Sequence, residues 1–347
     1  MNAEGTTKRT NAWPTVMATF VIMALIVSAV SLGAVIHKSG AKTVVAGSGG
    51  RAAAAGPGFD FGADPPESFT ARDPRAPVTP TGTVHKLRFD IVEKQIEIAP
   101  GVSQLMWTFN GQVPGPTLRG KVGDRFEITV VNHSNQAHSI DLHASKVAPN
   151  VMMRMILPGK SLLYTFTADH SGIFMYHCGT APVLEHIAMG MYGTVIIDPP
   201  HLSPVAHEFV MVQSELYRES DPVQPVDYAK LLDEQWDAVV FNGYVRQYAS
   251  RPIHVGVNQK IRIWVMNDGP SDISSFHIIG TIFDTVYKEG AALLVPGPNQ
   301  GGGQALDLAP AQGGYVELTF AVPGIYPFLS HKFADAAKGA VGEFVVQ

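Results

Sequence analysis

The strongest constraint on the fold is an internal repeat. Phe-Asn-Gly at 109–111 returns at 241–243. Around these landmarks, short runs of β-branched and aromatic residues alternate with polar ones, and Asn-Gly, Pro-Gly and Asp-Gly pairs separate the runs. This pattern predicts an all-β chain in which two related β-sandwich domains occupy residues 84–200 and 201–347.

The part of the chain that precedes the repeat has a different character. Residues 14–36 are almost wholly apolar and carry no charge, and about 20 such residues span a bilayer. We predict one N-terminal transmembrane helix there, either an uncleaved anchor or a signal, after a cytoplasmic tail at 1–13. Residues 37–83 are rich in Gly, Ala and Pro and lack periodicity, which predicts a flexible linker.

Cys178 is the only cysteine of the chain, so it cannot form an internal disulfide. The spacing Cys178-x7-His186-x4-Met191 places a thiol, an imidazole and a thioether on one loop. A thiolate, two imidazoles and a distant thioether are the ligand set of a blue-copper electron-transfer site. His177 precedes Cys178 and points to the opposite face of an extended strand. If both residues bind metal, one peptide unit joins two metal sites.

A second histidine-rich segment supports both sites. His138 and His143 are an odd number of residues apart, so in a strand they face opposite sides, while Asp141 shares a face with His143. His138 can then join Cys178 at one copper, and His143 can join His177 at a second. For each histidine taken singly, a structural role without metal stays open.

Two imidazoles do not complete a catalytic copper centre. Three protein ligands and an open position are typical of a metal site that binds small ligands. His331 is the best third ligand, because the segment 324–331 is the repeat counterpart of 172–178. The second unit has no cysteine at this place, so it cannot hold a blue-copper centre of its own.

From about residue 84 to the C-terminus, the chain resembles the copper-containing nitrite reductases that have two cupredoxin domains. The motifs that carry the resemblance are Phe-Asn-Gly-Gln-Val-Pro-Gly-Pro (109–116), His-Ser-Ile-Asp-Leu-His (138–143), Tyr-His-Cys-Gly-Thr-Ala-Pro-Val-Leu-Glu-His-Ile-Ala-Met-Gly-Met-Tyr-Gly (176–193), Ser-Ser-Phe-His-Ile-Ile-Gly (274–280), Phe-Asp-Thr-Val-Tyr-Lys-Glu-Gly (283–290) and Leu-Ser-His (329–331). The short spacing from Cys178 to His186 is similar to that of the shorter-loop subgroup. The resemblance implies two cupredoxin-like Greek-key β-sandwiches.

The resemblance also implies a set of ligands and of catalytic residues. The implied ligands of type 1 copper are His138, Cys178, His186 and Met191. The implied ligands of type 2 copper are His143, His177 and His331. The implied catalytic residues are Asp141, His277 and Ile279. In this family the third type 2 ligand belongs to the next subunit, so a homotrimer with two coppers per subunit is implied. Ile279 matches the apolar residue that covers the substrate pocket.

The function that the resemblance implies is the one-electron reduction of nitrite to nitric oxide. An external donor of the cupredoxin or cytochrome c type would reduce type 1 copper, and the electron would pass through Cys178 and His177 to type 2 copper. Asp141 and His277 would deliver protons. Copper chemistry of this kind would place the body outside the cytoplasm, in the periplasm or at the cell surface, attached to the membrane by the N-terminal helix.

Two other functions stay open at this point. A laccase-like two-domain multicopper oxidase needs a trinuclear copper cluster built from His-x-His pairs, and the chain has no such pair. A membrane-tethered cupredoxin electron carrier without catalysis would need type 1 copper only.

Glu185 stands beside His186 where the family usually has a bulky apolar residue, so the sequence does not specify the donor. The net charge of −5 gives no basic surplus that would attract nucleic acid.

Overall fold

The computed structural model describes residues 58–298 and 300–347, whose regular secondary structure is mostly β-strand. The strands of the first half are β1 (Val84–Ala99), β2 (Val102–Phe109), β3 (Leu118–Lys121), β4 (Arg125–Asn132), β5 (Asp141–Leu142), β6 (Ser161–Thr167), β7 (Gly172–His177) and β8 (Tyr192–Asp198). The strands of the second half are β9 (His207–Leu216), β10 (Ala238–Phe241), β11 (Ile253–Val255), β12 (Lys260–Gly269), β13 (Ser274–Ile278), β14 (Thr285–Lys288), β15 (Ala291–Leu294), β16 (Leu306–Leu308), β17 (Gly313–Thr319), β18 (Gly324–Ser330) and β19 (Val341–Val346). Short helices are α1 (Pro149–Met152), α2 (Val183–Ala188), α3 (Tyr228–Leu232), α4 (Gln247–Ser250) and α5 (Phe333–Ala337).

Each half of the described chain contributes two sheets. In the first half the strand orders are β2-β1-β4-β6 and β3-β8-β7-β5, and in the second half they are β10-β9-β12-β17-β14-β15 and β11-β19-β18-β13-β16. The pairs β1–β4 and β3–β8 are parallel, and so are β12–β9 and β11–β19. Apolar residues from both sheets fill the core of each half. The predicted all-β class and sandwich architecture are confirmed.

The sequence repeat is also a repeat of backbone conformation. Asn110 and Asn242 have φ of 60° and 57°, and the glycines that follow them have φ of 69° and 83°. These are left-handed values that asparagine and glycine tolerate better than other residues. The two Phe-Asn-Gly segments therefore form the same tight turn after β2 and β10, which fixes the corresponding ends of both sandwiches.

Strand β7 packs into two hydrophobic cores and positions the candidate site. On one side Tyr176 belongs to the core of the first sandwich. On the other side Ile173 and Met175 pack in a shared core with Trp264 and Tyr315 of the second half. Because β7 is buried on both faces, the backbone at its C-terminal end is held by packing. The residues that follow this end are therefore held in place as well.

Residues 58–83, which the sequence predicts to be part of a flexible linker, lie against both halves. The rings of Phe69 and Tyr244 are 4.4 Å apart. Arg72 donates from its guanidinium to the carbonyl oxygens of Pro114 and Gly115, at 2.5 and 3.2 Å. This part of the predicted linker is thus an ordered strap, a name we keep for residues 58–83.

The tail at 1–13, the anchor or signal at 14–36 and the linker up to residue 57 lie outside the described residues. Within 58–298 and 300–347, no helix combines the length and the apolar character that crossing a bilayer requires.

Candidate metal centres

Three buried side chains converge at one end of the first sandwich. His138 lies in a bridge with Ile156, Cys178 directly follows β7, and His186 lies in α2. The Nδ1 atoms of His138 and His186 are 3.1 Å apart, and the Sγ atom of Cys178 lies 3.8 and 3.2 Å from them. Each of these residues is at most 3% exposed. We call this group the cysteine cluster.

The backbone of the loop between β7 and β8 closes this cluster. Cys178 N–H donates to Met191 O at 3.0 Å, and Met191 N–H donates to His186 O at 3.1 Å. Met191 is fully buried. Trp107 of β2 places its ring edge-on to both imidazoles, with centroids 5.6 Å from His138 and 4.9 Å from His186. The four predicted residues of the first site therefore share one buried region.

Burial keeps the imidazoles of the cysteine cluster neutral. It lowers the pKa of His138 to about 4, with a further contribution from the charge of His186, and lowers the pKa of His186 to about 4. Burial raises the pKa of the Cys178 thiol, and hydrogen bonds from Ser139 and Thr180 act in the opposite direction. Neutral imidazoles expose the lone pairs that a metal ion requires.

The donor set of the cysteine cluster fits a metal ion. Three donor atoms 3.1 to 3.8 Å apart can all lie about 2.0–2.3 Å from one ion, which is the usual range for nitrogen and thiolate ligands. The other ring nitrogen of His138, Nε2, is buried and has no hydrogen-bond partner among the described residues. A thiolate, two imidazoles and an adjacent buried methionine favour copper.

A second cluster lies on the other side of the His177–Cys178 peptide. The Nε2 atoms of His143 and His177 are 3.0 Å apart, and Asp141 Oδ2 lies 3.7 and 3.8 Å from them. Strand β5 pairs with β7 so that Asp141 faces His177. We call this group the histidine cluster. It is partly exposed, whereas the cysteine cluster is buried, so a small molecule can reach it.

One hydrogen bond fixes the orientation of the His177 ring. Its Nδ1 lies 2.9 Å from Cys178 O, so Nδ1 carries the proton and donates to the carbonyl. The remaining nitrogen, Nε2, then presents a lone pair toward His143. A histidine that binds metal usually donates its other N–H in this way, which sets the tautomer.

His277 and His331 form a third, separate group in the described chain. Their ring centroids are 5.2 Å apart, and His331 also packs edge-on against Phe333. His277 donates from Nδ1 to Gln304 O, and Ile279 is 44% exposed. Neither histidine joins the histidine cluster within one chain. The structure therefore brings together two of the three predicted type 2 ligands and leaves the third elsewhere.

Sequence reasoning grouped these side chains on the assumption of a continuous strand over 138–143. The structure has a single bridge at His138 and a strand only at Asp141–Leu142. Between them Ser139 N–H donates to Cys178 Sγ at 3.4 Å rather than to a neighbouring strand. The grouping agrees with the prediction although the strand does not. Sequence reasoning missed Ser139, Thr180 and Trp107. The available signal was that Ser139 directly follows His138 and that Thr180 lies two residues after Cys178; Trp107 has no such signal.

Comparisons with known proteins identify relatives of this chain. A profile described as multicopper oxidase matches residues 90–202. A copper-containing nitrite reductase of Neisseria meningitidis serogroup A is 35% identical over 273 residues, covering 76% of this chain and 69% of that protein. A solved copper nitrite reductase from Nitrosomonas europaea is 32% identical with a TM-score of 0.69, covering 76% of this chain and 94% of the other.

A solved multicopper oxidase is also similar, at 30% identity and a TM-score of 0.66, covering 76% of this chain and 89% of the other. It shares the fold of the body, so the choice between the families depends on the nitrite reductase relatives and on the residues of the two clusters. The similarity to the Neisseria protein covers more than two thirds of both chains. The chain belongs to the family of copper-containing nitrite reductases.

Proposed function

We propose that this chain is an oxidoreductase that reduces nitrite to nitric oxide at copper. In the balanced reaction nitrite takes up one electron and two protons and yields nitric oxide and water. The observation that carries the proposal is the pair of clusters on opposite sides of one peptide. One is a buried cluster suited to storing an electron, and the other is an accessible cluster suited to binding a small anion.

The residues present define which groups would hold copper. His138, Cys178, His186 and Met191 are proposed to bind type 1 copper, and His143, His177 and His331 to bind type 2 copper, giving two coppers per subunit. The bound coppers would supply the one-electron redox change and a Lewis acid for nitrite. Cys178 and His177 provide the covalent connection between the two clusters.

Asp141 is placed to handle a proton at the histidine cluster. Its Oδ2 lies 3.7 and 3.8 Å from the nitrogens of His143 and His177, so a molecule bound between them is within hydrogen-bond reach of the carboxylate. Asp141 is partly exposed and can exchange protons with solvent. We propose that it holds the substrate oxygen and delivers a proton to it.

His277 and Ile279 are proposed to complete the substrate pocket from a second surface. The bond from His277 Nδ1 to Gln304 O orients the ring and leaves Nε2 free to hold or transfer a proton. Ile279 is 44% exposed and would form an apolar wall of the pocket once that surface is covered. Covering it would exclude water from the reacting group.

A homotrimer explains how the separated groups meet. Ile279, Ile282 and Phe333 lie within five residues of His277 or His331 in the sequence, and the latter two are 70% and 59% exposed in the single chain. Large exposed apolar side chains near candidate ligands mark an interaction surface. A head-to-tail interface that closes after three copies would place His331 of each subunit at the histidine cluster of the next.

We also propose an extracytoplasmic location, in the periplasm or at the cell surface, with attachment to the membrane through residues 14–36. This rests on the apolar run in the sequence and on the copper chemistry. The electron would come from an external donor of the cupredoxin or cytochrome c type. His186 of the buried cysteine cluster lies in α2, and Glu185 on the same helix would contact the donor.

The test is to load the full-length protein with copper and to record its paramagnetic resonance spectrum with and without nitrite. Two copper signals, one of which shifts with nitrite, together with nitric oxide release from a reduced dye, are expected. A single signal indifferent to nitrite would favour an electron carrier. Oxygen consumption without nitric oxide release would favour a multicopper oxidase, although the chain has no His-x-His pair.

A further inference from the structure

A pair of hydroxyl residues outside the proposed ligand set joins the two segments that carry both clusters. Ser139 is 1% exposed. Its backbone N–H donates to Cys178 Sγ at 3.4 Å. Its hydroxyl oxygen accepts from Gly179 N–H at 3.1 Å and from the Thr180 hydroxyl at 3.1 Å. Three hydrogen bonds thus cross from the segment after His138 to the loop after Cys178.

These three bonds replace regular strand pairing at this place. Strand β5 pairs with β7 only at Asp141 and Leu142, and the pairing does not extend to Ser139. The Ser139 bonds therefore hold the stretch between His138 and Asp141 against the loop. Because His138 belongs to the cysteine cluster and Asp141 to the histidine cluster, the same bonds help to position residues of both clusters.

Glycine at 179 allows this contact to close. A Cβ atom at Gly179 would lie 3.4 Å from Ser139 Oγ and 3.0 Å from the terminal methyl of Met153. The second distance is tighter than ordinary van der Waals contact, so a side chain there would press the methionine away or move the loop. The absence of a side chain at Gly179 thus keeps the backbone N–H within reach of the Ser139 hydroxyl.

Hydrogen bonds to the cysteine sulfur change the energetics of electron uptake. An electron added to a copper–thiolate unit increases the negative charge on the sulfur, and a donor that points at the sulfur stabilises that state. Hydrogen bonding around this sulfur is one of the factors that tune the reduction potential of blue-copper sites. The N–H of Ser139 is such a donor, and the side-chain bonds of Ser139 determine how closely it approaches Cys178.

We propose that Ser139 and Thr180 form a hydroxyl clasp that positions the Ser139 N–H on Cys178 and thereby raises the reduction potential of the cysteine cluster. The inference rests on the proposed function in that it requires copper at Cys178. Ser139 and Thr180 are positioning residues, since they act through the sulfur and the loop. Loosening the clasp lengthens the N–H to sulfur bond and disfavours the reduced state.

The experiment compares copper-loaded full-length variants in the absence of nitrite. Ser139→Ala and Thr180→Val remove the hydroxyls, Ser139→Thr and Thr180→Ser retain them, and Thr194→Val removes another buried hydroxyl of the same domain that makes no hydrogen bond in the described chain. The reduction potential is measured by redox titration of the cysteine-to-copper absorption band, and the melting temperature is measured in parallel.

We expect Ser139→Ala and Thr180→Val each to weaken electron uptake about tenfold, which corresponds to a potential about 59 mV lower for one electron. Ser139→Thr, Thr180→Ser and Thr194→Val should keep the wild-type potential. A lower melting temperature with an unchanged potential in both hydroxyl-free variants would show a purely structural role and overturn the clasp. Thr180 is only partly buried, so its valine variant is the one to rely on where Ser139→Ala does not fold.

The result also separates this inference from the proposed function. A wild-type protein with no absorption band that depends on Cys178 would overturn the proposed function, and the clasp with it. A normal band in all variants with no difference in potential would overturn the clasp alone.

Discussion

At the scale of single residues, the feature that most shapes the chemistry is the pair of facing nitrogens in the histidine cluster. His143 and His177 bring their Nε2 atoms within 3.0 Å, and two lone pairs at that distance repel unless a proton or a metal ion lies between them. Burial and the neighbouring charge of His177 lower the pKa of His143, so protonation is disfavoured. A metal ion between the two nitrogens would bind both lone pairs, and the lowered pKa of His143 reduces competition from a second proton on that ring.

The first prediction concerns Asp141. Asp141→Asn keeps the shape and the hydrogen-bonding carbonyl but cannot deliver a proton, so nitrite turnover should fall roughly 100-fold or more, the usual contribution of a positioned acid. Copper content should not change, because the imidazoles are untouched. Asp90→Asn alters a partly exposed aspartate of the same domain that pairs with Arg88 and is the matched control. Wild-type turnover in Asp141→Asn would exclude the proposed proton-delivering role.

The second prediction concerns pH and Asp335. This carboxyl is fully buried in α5, and burial together with nearby Asp272 raises its pKa to about 7, with Lys332 acting against the shift. Because the folded pKa exceeds the unfolded value, the folded state binds this proton more tightly. Its contribution to stability is therefore complete below about pH 3.8 and is lost as the pH rises to about 7.

Asp335→Asn should remove this dependence. At pH 8 the variant should be more stable than the wild type by roughly 1–3 kcal/mol, and the difference should shrink toward pH 4. Chemical denaturation across this range gives the comparison. A variant that is less stable than the wild type at pH 8 would mean that the ionised carboxylate is stabilised by Lys332 more than burial penalises it.

At the scale of elements, the grouping of the candidate ligands could be predicted from the sequence, whereas the path of the backbone could not. Residue spacing separated His138 from His143 and Cys178 from His177. It did not show that Ser139 turns its N–H toward a sulfur atom and so interrupts the strand. A bond between a backbone amide and a side chain far along the chain leaves no periodic trace in the sequence.

The strap was missed for a related reason. Its composition is typical of a linker, and it has no regular secondary structure from which periodicity could be read. It is held instead by separate anchors. Phe69 packs on Tyr244, Tyr248 donates to Arg72 O at 3.0 Å, and Arg72 binds two carbonyls of the first half. Composition therefore predicts the absence of helix and strand, but not the absence of order.

The third prediction tests the strap as an element of stability. Arg72→Ala leaves the carbonyls of Pro114 and Gly115 without their charged donor, and hydrogen bonds to charged groups contribute about 1.5–3 kcal/mol. The free energy of unfolding should therefore fall by about 1.5–3 kcal/mol in this variant. Arg75→Ala removes an exposed side chain of the same segment that pairs with the neighbouring Asp73, and it should leave stability unchanged. Equal effects of both variants would mean that Arg72 does not anchor the strap.

At the scale of the whole molecule, the proposed catalytic groups of one chain form two separate clusters. The histidine cluster lies in the first half, and His277 with His331 lies in the second half, outside that cluster. The sequence alone could pair His331 with the histidine cluster only through the internal repeat and the family resemblance. A chain with the two parts of a site in separate clusters is consistent with a ring in which each copy completes its neighbour.

The last prediction uses this arrangement to decide whether the site is shared. His143→Ala and His331→Ala chains are each expected to be inactive alone, since each lacks one proposed type 2 ligand. In a mixed trimer, however, one boundary between subunits unites an intact His143 with an intact His331. With random mixing of equal amounts, about three quarters of the trimers contain both variants, and each of these has one intact site of three. Co-expression should therefore restore roughly a quarter of wild-type activity.

If the site is built within one chain, no subunit is intact and nothing is restored, even where two affinity tags prove that mixed trimers formed. Co-expression of two His143→Ala chains with different tags is the matched control, because every boundary then lacks the same ligand.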